Sequence, residues 1–131
     1  AGLKKIKCDP LVKVKGISVV GDDPILMLTG PIPATKKVLN ESKLNIDEIG
    51  LYEVNEAFAP VPLAWEIEVK ADRSKLNVNG GAMALGHPLG ASGAKLMTTL
   101  IYEMHRRNEK YGLQAICEGG GTANATILEK V

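Results

Sequence analysis

Short runs rich in β-branched residues alternate along this chain with stretches of helical period, and that alternation restricts the fold to a sheet layered with helices. Val12-Lys13-Val14-Lys15-Gly16-Ile17-Ser18-Val19-Val20 reads as a strand with one bend at Gly16, and Gly21-Asp22-Asp23-Pro24 breaks it. Pro31 and Pro33 open a helical pattern that runs to Lys43, with Ala34, Val38 and Leu39 on one face; proline is tolerated in a first turn. Asn45-Ile46-Asp47 ends that unit. Residues 49–54 form a short apolar strand, and residues 56–69 a second helix whose Pro60 and Pro62 must fall in its first turns or distort it. Trp65, inside that helix, is expected to anchor the core.

The third helix, residues 92–107, is the most clearly written element. It carries Ala94, Leu96, Met97, Leu100, Ile101 and Met104, which spread over more than one stripe near its start and predict burial on several sides. His105, Arg106 and Arg107 mark an exposed end whose cations suit the helix dipole, which makes His105 a surface residue. Residues 113–117 and 122–128 are strand-like runs separated by a triple glycine, and they predict an antiparallel terminal pair. The expected fold class is α/β, a mixed sheet covered by helices.

A chain of 131 residues fits a single domain, with residues 1–10 as a leading segment, and a domain of that size buries roughly two-thirds of its unfolded surface. A net charge of +1 without interleaved arginines and aromatics gives no basis for nucleic-acid binding. Lys4, Lys5, Lys7, Lys13 and Lys15 lie on and before the first strand, where they keep an edge strand from pairing with other copies; attraction of a ligand's phosphates is the weaker reading. Two cysteines do not make a disulfide framework, so a reducing compartment is expected. No apolar run approaches the roughly 20 residues of a membrane span. With no secretory pattern at the start and no peroxisomal address at Leu128-Glu129-Lys130-Val131, the expected location is cytoplasmic, with an organellar matrix as the alternative.

The chemistry concentrates in two glycine-dense loops. Gly86-His87-Pro88-Leu89-Gly90-Ala91-Ser92-Gly93 supplies an imidazole, and Cys117-Glu118-Gly119-Gly120-Gly121 supplies a thiol. Glycine lets backbone pass close to a ligand, so a reactive side chain can sit beside exposed N–H donors, which points to acyl transfer. A neutral His87 can accept a proton from a thiol and return it to a thioester oxygen as that oxygen gains charge. Cys117 can act as acid and base, with nearby loop N–H groups expected to pull its pKa lower. Asn55 follows a strand directly, at the carboxyl end where α/β folds place ligands. Cys8, in Lys7-Cys8-Asp9-Pro10, has no glycine loop or helix start to activate it and reads as an ordinary thiol.

Asn55-Glu56-Ala57-Phe58, Asn77-Val78-Asn79-Gly80-Gly81-Ala82, the His87 loop and the Cys117 loop, in this order, resemble the carboxyl-terminal domain of a thiolase. The resemblance covers the chain from about Leu11 to Val131 and implies the thiolase-like half fold. It implies that His87, Cys117 and Asn55 are catalytic: Cys117 removes the α-proton of a bound acetyl thioester, while Asn55 holds a water that forms an oxyanion hole with His87. The Gly119 N–H matches a donor to a second oxyanion, and Glu56 is expected to orient Asn55 or neighbouring loops. The thiolase nucleophile is a further cysteine on an amino-terminal domain with no counterpart here, so the resemblance implies half an active site. No cofactor or metal is implied, coenzyme A thioesters being substrates. Glu118 and Asn124 look more like degradative 3-ketoacyl-CoA thiolases than biosynthetic ones. The leading expectation is an acyl-CoA C-acyltransferase domain completed by an amino-terminal domain or subunit, with an apolar face left for homo- or hetero-oligomer formation. The alternative is a non-catalytic module that self-associates or binds acyl-CoA or a thiolase subunit.

Overall fold

The computed structural model describes residues 2–131. After a short exposed helix α1 (Gly2–Ile6), the chain forms β1 (Val12–Gly21), α2 (Pro31–Ser42), β2 (Leu51–Val54), α3 (Pro60–Val69), α4 (Gly81–Leu85), α5 (Ser92–Arg107), β3 (Tyr111–Cys117) and β4 (Thr122–Lys130). The four strands make one sheet in the order β1-β4-β3-β2, antiparallel except for the parallel pair β2 and β3. A mixed sheet covered by helices is therefore what the chain builds, and its terminal strands are the antiparallel pair expected. The bend at Gly16 is a register shift between Val14 and Gly16 in the pairing of β1 with β4.

Side-chain alternation divides the sheet into two apolar faces. Leu113, Ala115, Cys117, Ala123, Ala125 and Ile127 meet Ala34 and Val38 of α2 and Trp65 of α3 on one side. Trp65 is fully buried, donates through Nε1 to Thr35 Oγ1 at 2.8 Å and sits edge-on to Tyr52, with ring centroids 5.3 Å apart. It is the anchor that its sequence context predicted. On the other side Leu51 and Leu128 pack against Leu100 and Met104 of α5. Gly112 on β3 allows that contact: a Cβ there would stand 2.5 Å from the Met104 sulfur, so only glycine lets α5 lie this close.

Two expectations need correction. The second helix starts at Pro60, not at Glu56, because proline is accommodated at the first helical position and the four residues before it form a bent loop that turns into the helix at Ala59. The buried residues of α5, Ser92, Leu96, Leu100, Glu103 and Met104, form one stripe, and Tyr102 is exposed; within this chain the helix is covered on one side only.

Lysines 13 and 15 do lie on an edge strand, and Lys13 pairs with Glu129 at 3.1 Å. The same strand turns Gly16, Ser18 and Val20 toward α2. Its alternate residues Ile17 and Val19 face the opposite side, beyond the reach of α5, and remain 59% and 61% exposed. No helix among the described residues is long and apolar enough to cross a membrane.

Candidate active site

The parallel pairing of β2 with β3 decides where the chemistry collects. Val54 is in register with Ala115, and the Asn55 N–H donates to the Ala115 carbonyl at 2.9 Å. Asn55 and Cys117 thus leave the same end of the sheet, the carboxyl end of two parallel strands. The start of α5 reaches that end as well, because Gln114 Nε2 on β3 donates to the Gly93 carbonyl at 2.7 Å.

His87 is carried by the loop between α4 and α5. Lys95, one turn into α5, donates to the carbonyls of Leu85 and Gly86 and pins the loop from the helix side. His87 Nδ1 lies 2.5 Å from Ser92 Oγ. A cleft of about 560 Å³ opens here, and it brings His87, Ser92, Cys117, Glu118, Gly119 and Asn124 together with an apolar wall of Met27, Leu28, Ala57, Phe58, Leu89 and Ile116.

Three of the four predicted site residues, His87, Cys117 and Gly119, share this cleft. Asn55 does not line it. It is 1% exposed, and neither its amide nitrogen nor its carbonyl oxygen has a hydrogen-bond partner. An orphaned buried amide is costly unless something satisfies it, typically about 1–3 kcal/mol per group.

Glu56 does orient neighbouring backbone. Its Oε2 accepts from the Met83 N–H at 2.8 Å at the start of α4, and its Oε1 accepts from Asn77 Nδ2 at 3.0 Å. Asn77 in turn closes the free edge of β2. Its Oδ1 accepts from the Val54 N–H, and its Nδ2 donates to the Val54 carbonyl, each at 2.9 Å, so a side-chain amide replaces a neighbouring strand.

The electrostatics of Cys117 run against the sequence expectation. Burial pushes its thiol above the ordinary value, the charge of Glu118 adds to that, and an opposing backbone hydrogen bond does not reverse it. The glycine loop therefore does not lower this pKa, and the group is held as a thiol. Glu118 is oriented by Asn124, whose Nδ2 donates to it at 2.5 Å, and by the Thr122 hydroxyl at 3.3 Å.

The wall formed by Met27 and Leu28 was not read from the sequence. Their loop folds inward because the Asp22 N–H donates to the Gly121 carbonyl at 2.8 Å, Asp22 accepts from Thr29, and Asp23 Oδ1 accepts from the Ile25 and Leu26 N–H groups. The adjacent aspartates were visible only as a strand break. Cys8 is exposed and outside the cleft, and His105 is exposed on the far end of α5.

His87 and Cys117 thus converge at the carboxyl end of the parallel pair in this mixed sheet. The chain belongs to the thiolase family: the family described as "Thiolase, C-terminal domain" matches residues 8–130. It is 57% identical over 122 residues to a steroid 3-ketoacyl-CoA thiolase of Mycobacterium tuberculosis, covering 93% of this chain and 30% of that protein. It is 43% identical to an acetyl-CoA acetyltransferase of Cupriavidus necator over 99% of this chain and 33% of the relative. The crystal structure of human mitochondrial 3-ketoacyl-CoA thiolase superimposes with a TM-score of 0.95 at 45% identity, over 99% of this chain and 33% of that one. The chain thus spans about a third of the length of the relatives it matches.

Proposed function

We propose that this chain is the carboxyl-terminal catalytic part of an acyl-CoA C-acyltransferase that cleaves 3-ketoacyl-CoA by thiolysis or, in reverse, condenses acetyl-CoA. The observation that carries the reading is the convergence of His87, Cys117 and the Gly119 backbone on one cleft at the carboxyl end of β2 and β3. His87 takes the proton of a nucleophilic thiol supplied by an amino-terminal domain or subunit, and returns a proton as the thioester oxygen gains charge. Cys117, held as a thiol, donates to the carbanion of the leaving acetyl unit; in condensation its thiolate removes the α-proton.

The Gly119 N–H and the Asn55 amide, the latter through a water, stabilise the two oxyanions, and one such donor is typically worth about 3–4 kcal/mol. The two unpartnered polar atoms of Asn55 support a role in holding something this chain does not provide. The substrates are coenzyme A thioesters, and one of the matched human crystal structures is of the thiolase in complex with CoA. The 57% identity to a protein named as a steroid 3-ketoacyl-CoA thiolase supports a 3-ketoacyl-CoA substrate. The surroundings are cytoplasmic or an organellar matrix, relatives being bacterial and mitochondrial.

The test is thiolysis of acetoacetyl-CoA by the chain in its native assembly, or mixed with a relative's amino-terminal two-thirds. Activity is expected, with His87→Ala and Cys117→Ala each lowering kcat by roughly 100-fold or more while folding is retained. An assembly that binds acyl-CoA without turnover would instead make the chain a binding module.

A further inference from the structure

The bond between His87 and Ser92 carries information beyond the presence of a base, and the inference from it rests on the proposed role of His87. Ser92 is 4% exposed at the first position of α5. Its hydroxyl donates to the Pro88 carbonyl at 3.0 Å, and the same carbonyl receives the Ala91 and Ser92 N–H groups at 2.8 and 2.9 Å, which fixes it over the helix start. A hydroxyl has one hydrogen and two lone pairs. With that hydrogen on Pro88, Ser92 Oγ meets His87 Nδ1 as an acceptor and the ring nitrogen brings the hydrogen to the 2.5 Å contact; with it on His87 the two roles reverse.

We propose that Ser92 is a positioning residue that locks neutral His87 in the Nδ1–H tautomer, leaving the Nε2 lone pair free to take the proton of the attacking thiol. A base is useful only on the nitrogen that faces its proton donor, and the tautomer is set by the bond the other nitrogen makes. Ser92 does this from a rigid position, since its own backbone N–H and hydroxyl are both tied to Pro88.

The molecule contains its own control. It has two histidines, and the second, His105, places Nε2 at 2.9 Å from the Leu11 carbonyl. A carbonyl only accepts, so His105 must be the Nε2–H tautomer. The two rings are assigned opposite tautomers.

The experiment is two-bond proton–nitrogen correlation on the native assembly with nitrogen-15-labelled histidine, recorded with both rings neutral. The expected spectrum shows one ring protonated at Nδ1, assigned to His87 by its loss in His87→Ala, and one at Nε2. In Ser92→Ala the His87 pattern moves to Nε2–H with His105 unchanged, and thiolysis falls roughly tenfold or more in kcat with a displaced pH profile. Ser92→Thr, which keeps the hydroxyl, restores both readouts. An Nε2–H His87 in the unaltered protein, or a Ser92→Ala protein with unchanged tautomer and pH profile, overturns the proposal. Full activity in His87→Ala would instead overturn the catalytic reading of His87, an outcome the tautomer spectrum reports separately.

Discussion

A buried carboxyl makes the sharpest demand on this structure at the scale of single residues. Alternation along β2 sends Leu51 and Glu53 to the α5 face, and Glu53 is 2% exposed with Oε2 lacking a partner. Burial, and then the charges of Glu56 and Glu103, push it from 4.5 up to about 7. Glu103 itself is held down to about 2, chiefly by its bidentate bond to Arg106 with help from Arg107, so it stays charged and adds a smaller push to the one that burial gives Glu53. Between those two values for Glu53 the native state binds a proton that the unfolded chain has lost. Stability therefore falls as pH rises from about 4.5 to 7 and levels off above that. The full effect is on the order of 3 kcal/mol. Glu53→Gln is expected to match the unaltered protein near pH 5 and to be the more stable of the two near pH 8.5, as read by thermal unfolding. Equal pH dependence of the two proteins would show that Glu53 is neutralised some other way. That Glu53 sits on a strand was legible in the sequence; its protonation was not, because Glu103 and its arginines approach from a helix some fifty positions later.

At the scale of elements, the strand that delivers Asn55 is held on one side by β3 and on the other chiefly by one residue, Asn77, through its backbone and its side chain. Asn77 supplies both hydrogen bonds that a fifth strand would give Val54, its own N–H donates to the Tyr52 carbonyl at 2.8 Å, and its amide also reaches Glu56. Asn77→Ala leaves the Val54 N–H and carbonyl open and is expected to cost about 2–3 kcal/mol in chemical denaturation. Because Val54 adjoins Asn55, reconstituted thiolysis should fall further than the stability loss explains, with kcat affected more than KM. An activity that merely tracks the folded fraction would count against Asn77 as a support of the site. Long elements of strong period, such as α5 and β1, were readable with near-correct bounds. The short α4 and the late start of α3 were not: α3 begins where Pro60 takes the first helical position, and the start of α4 is held by the Glu56 carboxylate accepting from the Met83 N–H. The His87 and Cys117 loops, named by resemblance, meet at one cleft that Asn55 does not line, whereas the Met27–Leu28 wall depends on Asp22 and Asp23 meeting a loop about a hundred residues away.

On the scale of the whole molecule, what is uncovered is as informative as what is packed. Ile17 and Val19 face outward from β1, Phe58 and Leu89 stand 60% and 89% exposed at the cleft, and α5 is covered on one side alone. Asn55 is buried yet unsatisfied, and the matched relatives are about three times as long. Apolar surface of this extent beside an open edge strand usually finds a partner. The 131-residue chain by itself is therefore expected to self-associate and to bind dyes that report exposed apolar surface. Adding the amino-terminal two-thirds of a relative should suppress both and generate thiolysis activity together. Light scattering across a concentration series, run beside the dye titration, decides the matter. A monomer at every concentration that leaves the dye dark would mean that these side chains are individually tolerated at the surface and that no complementary half is needed to cover them.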